Sequence, residues 1–327
     1  MENINLDVSD MVEKWTSEAV SNYGFLLKNT DAAISGTEGS FYTKMFFGRT
    51  SEFFLKRPYL EARWDSTRRD NRSNTYLSSA LADSADNLNT LYLYNVVRGG
   101  LKNIPGLVAN QLRVNFYSSS ADTPSGSALT VISSQGSAVT NITGGLLYEN
   151  GTAVSGVYTA SFAITSAFDF VNDVWFSGSN QYFTSSFEPR PLAATKVIYD
   201  KKYLTSITNL MPAYQQGDTA TLRVFVREKN WNPNIYTVAS TDVEPEIIEN
   251  AYYRISRIVD NFPVVPYDTG STNSTRLSYD VSGNYFDLDT SYLEPGYAYE
   301  LRFTYYLNGT YQEQPQIFKF RINEQTL

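Results

Sequence analysis

The feature that most constrains the fold of this chain is a series of short segments in which apolar and polar residues alternate. These segments are rich in Val, Tyr, Phe and Thr, and a period of two is typical of a strand with one buried face. The clearest are LNTLYLYNVV (88–97), QLRVNFYSS (111–119), VYTASFAIT (157–165), ATLRVFVRE (220–228) and YELRFTYYL (299–307). Turn signals such as PSG, ENG and SGN separate the runs. Short strands at this spacing predict an all-β chain built of β-sandwiches.

Two stretches divide the chain, whose 327 residues favour two or three domains. One is a polar, Arg- and Asp-rich stretch near residues 66–88, and the other is a proline-containing stretch near residue 200. The resulting prediction is a first segment over 1–66, a linker over 67–87, a sandwich with long loops over 88–198 and a second sandwich over 199–327. One short helix is predicted, over residues 9–15, where apolar side chains share a face.

The chain contains no histidine and no cysteine. This composition excludes Ser-His-Asp and Cys-His catalysis, the usual zinc sites, Fe–S clusters and disulfides. The net charge of −8 makes a phosphate backbone or an anionic lipid surface a poor partner. The N-terminus lacks the pattern of a signal peptide, and no apolar run is long enough to span a membrane. We therefore expect no catalytic residue, no cofactor, and neither nucleic acid nor membrane as a partner.

The segment LEPGYAYEL (293–301) resembles the tyrosine corner of immunoglobulin-like and fibronectin type III sandwiches. In that motif a tyrosine near the start of strand F donates its hydroxyl to backbone a few residues upstream. The resemblance assigns this role to Tyr299, a core position to Leu293 and the turn to Pro295 and Gly296. The alternative is a catalytic phenol at Tyr299, which the absence of an acid–base partner in the motif disfavours.

The preceding stretch RLSYDVSGNYFDLD (276–289) predicts a β-hairpin with Gly283 and Asn284 at its turn. This register places Asp280 opposite Asp287, an unfavourable pair of like charges. A bound cation could relieve the repulsion, although the spacing is not that of an EF-hand. The simpler interpretation is an acidic face that is solvated or paired with an arginine. We therefore predict no metal site, with Asp280 and Asp287 as the alternative cation ligands.

Three other candidates for chemistry have structural alternatives. Glycoside hydrolysis needs only two carboxylates, but no pair stands in a clear catalytic setting. The stretch RWDSTRRDNR (63–72) could touch phosphates, yet its interleaved aspartates fit a salt-bridged joint between domains better. Trp231 lies in a polar, proline-containing loop, and we expect an interface anchor there before a sugar contact.

The first 64 residues resemble the C-terminal half of a DNRLRE-type module, a jelly-roll domain of secreted bacterial proteins linked to carbohydrate binding. The pieces that carry this resemblance are LDVSDMVEKW (6–15), NYGFLLK (22–28) and FFLKRPYLEARW (53–64). The resemblance implies a partial jelly roll over residues 1–66 that lacks the first half of the module. Either the chain is a fragment or processed product, or another chain supplies the missing strands. The fold class expected for the whole chain is then all-β, with tandem modules: a partial jelly roll, a loop-rich sandwich and a C-terminal immunoglobulin-like domain.

Nearly the whole chain resembles virion structural proteins of tailed bacteriophages, notably marine and cyanobacterial ones. The matching pieces are EFFLKRPYLEARWD, ADNLNTLYLYNVVRGGLKNIP, IYDKKYLTSITNL, NWNPNIYTVA and RLSYDVSGNYFDLDTSYLEPGYAYELRF. This resemblance implies a non-enzymatic virion component of the head, neck or tail whose partners are other virion proteins and copies of itself. The alternative is a fibre or adhesin module that binds a host-surface glycan. A third possibility is a capsule depolymerase that uses two carboxylates.

Overall fold

The computed structural model describes residues 4–36, 45–119, 124, 126–149, 151–191, 201–230, 245–270 and 272–324. The chain divides into two compact units, Met1–Pro58 and Tyr59–Leu327. Each unit is a separate body, and strands form only in the second unit among the described residues.

The first unit contains short helical elements and, within residues 4–36 and 45–58, neither a strand nor a buried side chain. Its elements are α1 (Ser9–Thr16), α2 (Asp31–Ile34) and a 3₁₀ turn (Phe54–Lys56). The short helix predicted over 9–15 is confirmed. The partial jelly roll expected over 1–66 is not found in the described residues of this unit. Strands are stable only when neighbours cover one face, and no neighbouring strand is present there.

The second unit begins with a two-layer sandwich. Its elements are a 3₁₀ turn (Asn71–Asn74), β1 (Tyr76–Leu77), β2 (Asn89–Tyr94), β3 (Val96–Val97), β4 (Gly100–Leu101), β5 (Arg113–Tyr117), β6 (Val131–Ser133), β7 (Ala138–Val139), β8 (Asn141–Thr143), β9 (Gly145–Glu149), β10 (Thr152–Ala163), β11 (Val171–Ser177), β12 (Asn180–Phe187) and β13 (Arg190–Pro191). One sheet has the order β2-β10-β6-β7, with β9 also paired to β10. The other has the order β12-β11-β5-β8. We call this body the middle sandwich.

The core of the middle sandwich follows from the alternation in the sequence. Along β2 every second side chain is buried, so that Leu91 and Leu93 face inward. Phe116 on β5 meets Phe162 on β10, with ring centroids 4.2 Å apart. Trp175 on β11 is fully buried in the same cluster. The predicted strand segments around 88–97, 111–119 and 157–165 are therefore confirmed.

A second two-layer sandwich, the C-terminal sandwich, completes the unit. Its strands are β14 (Tyr203–Ile207), β15 (Ala213–Gln215), β16 (Thr219–Glu228), β17 (Ala251–Arg257), β18 (Phe262–Val265), β19 (Ser278–Asp280), β20 (Gly283–Asp289), β21 (Ala298–Leu307), β22 (Thr310–Glu313) and β23 (Phe318–Asn323). The sheets have the orders β14-β16-β20-β19 and β15-β23-β21-β17-β18, with β22 also paired to β21. This is the immunoglobulin arrangement, with strands A-B-E-D on one sheet and G-F-C on the other. The all-β, immunoglobulin-like fold is therefore present.

Candidate interaction sites

The tyrosine corner lies at the start of β21 and has a structural role. The Tyr299 hydroxyl donates a hydrogen bond to the carbonyl oxygen of Glu294, 2.8 Å away, which is the contact that the motif predicts. Leu293 is fully buried, while Pro295 and Gly296 form the turn, Gly296 with a φ of 84°. Burial raises the pKa of the Tyr299 phenol to about 12. The hydrogen bond from the buried phenol to the backbone fixes the corner.

The predicted hairpin register is wrong. Asp280 pairs with Gly283 across the ladder, so the turn consists of Val281 and Ser282. Gly283 is the first residue of β20 and lies beside the turn. A side chain is disfavoured there because the strand runs close to neighbouring atoms. A Cβ on Gly283 would lie 3.3 Å from Pro245 and 3.4 Å from a backbone oxygen of β16, and φ is 109°. The structure therefore uses Gly283 for close approach within the sheet.

Asp280 and Asp287 do not lie opposite each other across the hairpin, because Asp280 faces Gly283. Asp280 accepts two hydrogen bonds from the Arg223 guanidinium, at 2.7 and 2.8 Å. Asp287 accepts a hydrogen bond of 2.6 Å from the Thr221 hydroxyl. The arginine-paired interpretation therefore holds for Asp280. Within the described part of the chain, no group of three or more acidic side chains is placed to hold a metal.

Trp231, predicted as an interface anchor, lies outside the described residues, as does the loop around it. Within the part of the chain that the structure describes, no helix has the length and apolar character to cross a membrane.

Residues 65–77, which we call the strap, form the joint between the two sandwiches. The sequence analysis places a linker over 67–87, but the strap is packed against both bodies. On the C-terminal sandwich it continues the sheet beyond the edge strand β19. The Tyr279 amide donates to the Arg68 carbonyl at 2.9 Å, and the Asp70 amide donates to the Tyr279 carbonyl at 3.0 Å. The strap therefore covers an edge that would otherwise expose unpaired backbone groups.

Charged side chains link the strap to both sandwiches. Asp65 accepts a hydrogen bond from Arg276 of the C-terminal sandwich. Arg69 forms an ion pair with Glu149 of the middle sandwich, and the Arg69 amide donates to the Tyr94 hydroxyl at 2.8 Å. Arg276 also lies 3.7 Å from Glu149, so the four charged groups form one network. The salt-bridged joint predicted from residues 63–72 is confirmed by these contacts.

A buried ion pair anchors the strap in the middle sandwich. The Arg72 guanidinium donates to both carboxylate oxygens of Asp173 on β11, at 3.0 and 2.7 Å. The Trp175 indole donates to the same carboxylate at 2.8 Å. Asp173 is fully buried and Arg72 is buried, so neither charge has water as an alternative partner. The sequence analysis found the arginine-rich stretch but not Asp173, which lies 101 residues further along the chain.

The first unit exposes many large apolar side chains to solvent. Tyr23 is 94% exposed, Leu26 83% and Met45 90%. The other exposed large apolar residues of the described part are Ile4, Leu6, Met11, Val20, Phe25, Leu27, Ile34, Phe46 and Phe53. Single exposed apolar residues are ordinary, but this density is unusual in a segment whose described residues include none that is buried.

No protein-family profile matches the chain, and no curated protein matches its sequence. Solved structures that match the chain have low sequence identity and low TM-scores. The adhesin InvE of Yersinia pseudotuberculosis is 15% identical with a TM-score of 0.21, over 72% of this chain and 59% of that chain, less than two thirds of its length. A chimeric titin Z1Z2 tandem is 12% identical with a TM-score of 0.20, over 73% and 91%. The Escherichia coli adhesin FdeC is 11% identical with a TM-score of 0.23, over 82% and 67%. These likenesses concern the fold and carry no conclusion about function.

Proposed function

We propose that this chain is a structural component of a tailed-bacteriophage virion that acts through contacts with other virion proteins and with copies of itself. The observation that carries the proposal is the first unit, whose apolar side chains are exposed and whose described residues bury none of their own. The whole-chain resemblance to virion structural proteins supports it from the sequence.

The strap gives the proposal a mechanical basis. A subunit in a particle has to present its contact surfaces at fixed angles, and the buried Arg72–Asp173 pair and the Asp65–Arg276 contact hold the two sandwiches together. The first unit then supplies the adhesive surface. A stable contact of this kind buries at least ~1,000 Å².

Sedimentation of the purified chain tests the self-association part of the proposal. The informative variant carries Tyr23→Ser and Leu26→Ser in the first unit. The matched control carries Tyr148→Ser and Val259→Ser, which are exposed apolar residues of the two sandwiches. We expect the parent chain and the control to associate and the first-unit variant to dissociate to monomers. Equal loss of association in both variants would show that the first unit is not the adhesive surface.

Immunogold labelling of purified particles tests the virion part. An antibody against the C-terminal sandwich should label the head, neck or tail shaft. Label confined to distal fibre tips would favour the alternative of a host-glycan-binding fibre or adhesin. Particles without label, together with a chain that stays monomeric at all concentrations, would overturn the proposal.

A further inference from the structure

A polar cavity of about 320 Å³ opens beside the strap in the second unit. Its walls come from the strap, from the turn and strand at residues 86–92, and from Glu249 of the C-terminal sandwich. The size is at the lower end of the range for small-molecule sites, roughly 300–1,000 Å³. Most such sites are lined by apolar side chains, whereas asparagines, tyrosines and two carboxylates dominate here. The lining therefore suits a small ligand that is itself rich in hydrogen-bonding groups.

The walls of the cavity are held in place by asparagine side chains. The Asn89 side chain accepts from the Tyr76 amide at 2.9 Å and donates to the Tyr76 carbonyl at 2.8 Å. Asn71 donates to the Thr90 carbonyl at 3.0 Å, which ties the strap to β2. Asn74 accepts from the Tyr76 hydroxyl at 2.8 Å and donates to Glu249 at 3.1 Å. Because these bonds exist before any ligand arrives, binding would cost little ordering of the walls.

Three side chains can take part in recognition. The carboxylates of Asp86 and Glu249 line the cavity and are exposed, so each has acceptor capacity for a hydroxyl group. The Tyr92 ring also lines it, with the Arg69 guanidinium 5.7 Å from the ring centroid. Tyrosine combines an apolar face with a polar tip, which suits a ligand with both C–H faces and hydroxyl edges. The described lining residues include two carboxylates and no lysine or arginine, so the lining disfavours an anionic ligand.

We propose that this cavity binds one saccharide unit without negative charge. A sugar presents many hydroxyl donors to the two carboxylates and the amide oxygens, and a C–H face to Tyr92. This binding site is independent of the proposed assembly role. If the chain assembles but binds no sugar, only the cavity proposal is overturned.

Saturation-transfer NMR on the full chain tests the proposal, with glucose, galactose, N-acetylglucosamine and glucosamine as probes and N-acetylneuraminic acid as the anionic comparator. The cavity variant is Asp86→Ala with Glu249→Ala. The matched control is Asp83→Ala with Glu246→Ala, which removes the same charge from the same two loops without touching the lining. Thermal denaturation of both variants confirms that they fold.

The expected result is transfer to at least one uncharged or amino sugar, with affinity reduced at least about tenfold in the cavity variant and unchanged in the control. Three results would overturn the proposal. The first is an absence of saturation transfer to every probe, which leaves a cavity filled by water alone. The second is transfer that survives in the cavity variant, and the third is preferential binding of N-acetylneuraminic acid.

Discussion

The first unit and the C-terminal sandwich use similar apolar residues and reach opposite outcomes. In the C-terminal sandwich, Phe303 and Tyr305 on β21 are fully buried in a shared core. In the first unit, the consecutive residues Phe25, Leu26 and Leu27 are all exposed. Apolar content is therefore not what separates the two regions.

The difference lies in the spacing of apolar residues and in the presence of a partner. Along β16, buried Leu222, Val224 and Val226 recur at every second position, which places them on one face of a sheet. Three apolar residues in a row would point to both faces of a strand, and one face would stay in water. Apolar residues form a core when they recur at every second position and neighbouring strands cover that face. Where this spacing is absent, the apolar side chains stay exposed and available for contact with another molecule.

Truncating one aromatic residue in each region tests this comparison most strongly. Phe303→Ala should lower the free energy of unfolding of the C-terminal sandwich by about 3–5 kcal/mol, because it leaves a cavity in a packed core. Tyr23→Ala should change it by less than about 0.5 kcal/mol. Urea denaturation, with the chain dilute enough to be monomeric, measures both. A large effect at Tyr23 would show that the first unit has a core of its own.

The strap offers the next test. Asp173→Ala leaves the buried Arg72 guanidinium with the partly exposed Asp70 as its remaining counter-charge. The substitution should destabilise the middle sandwich by about 3–5 kcal/mol. Asp70→Ala is the matched control, because Asp70 contacts the same guanidinium at 2.9 Å but is partly exposed. Thermal denaturation should rank the two variants in that order. Equal effects would show that burial of the pair is not what anchors the strap.

Alkaline pH should lower the stability of the C-terminal sandwich through its buried tyrosines. Burial raises the pKa of Tyr299 and of Tyr253 to about 12, above the value of about 10 for an unfolded tyrosine. Between these values the unfolded chain releases protons that the folded chain retains, so stability falls as pH rises. The stability that these two protonated tyrosines contribute is fully present below about pH 10 and is lost as the pH rises through about 12. Denaturant titrations at several pH values, with tyrosinate absorbance as a second signal, would reveal the fall. Stability that is constant through pH 12 would contradict it.

Removing one hydroxyl at the tyrosine corner should have a moderate effect. Tyr299→Phe keeps the buried ring and loses the bond to the Glu294 carbonyl, at a cost of about 0.5–1.5 kcal/mol. Tyr23→Phe, which removes an exposed hydroxyl, is the control and should be neutral. Equilibrium denaturation compares them. A neutral Tyr299→Phe would mean that the ring alone holds the corner.

The smallest effect is expected at an exposed ion pair of the first unit. Lys28 and Asp31 are 2.7 Å apart and largely in water. Lys28→Ala should change stability by less than about 0.5 kcal/mol, because solvent screens such pairs. A decrease in melting temperature comparable to that of Asp173→Ala would show that an exposed ion pair of the first unit contributes as much stability as the buried pair of the second unit.

The sequence predicts the sandwich strands well because local alternation determines which face is buried. In the hairpin at 278–289, Phe286 and Leu288 are buried. The turn lies two residues earlier than predicted, so the cross-strand partner of Asp280 is Gly283, four residues before the predicted Asp287. A shift by an even number of residues keeps each side chain on its face, so burial is predictable while cross-strand partners are not. Val281 lies in the turn and is exposed. The Arg72–Asp173 pair could not be predicted, because nothing local links residues so distant in sequence.

The strap has a consequence for how the chain is made. Arg68 bonds to Ser278, which lies 210 residues further along the chain. At translation rates of roughly 5–20 residues per second, roughly 10–40 s separate the synthesis of these two residues. The middle sandwich can fold during that interval, but the joint closes only after β19 has left the ribosome. Its closure is therefore a late step, and a nascent chain passes through a stage with one finished sandwich and a strap anchored at one end.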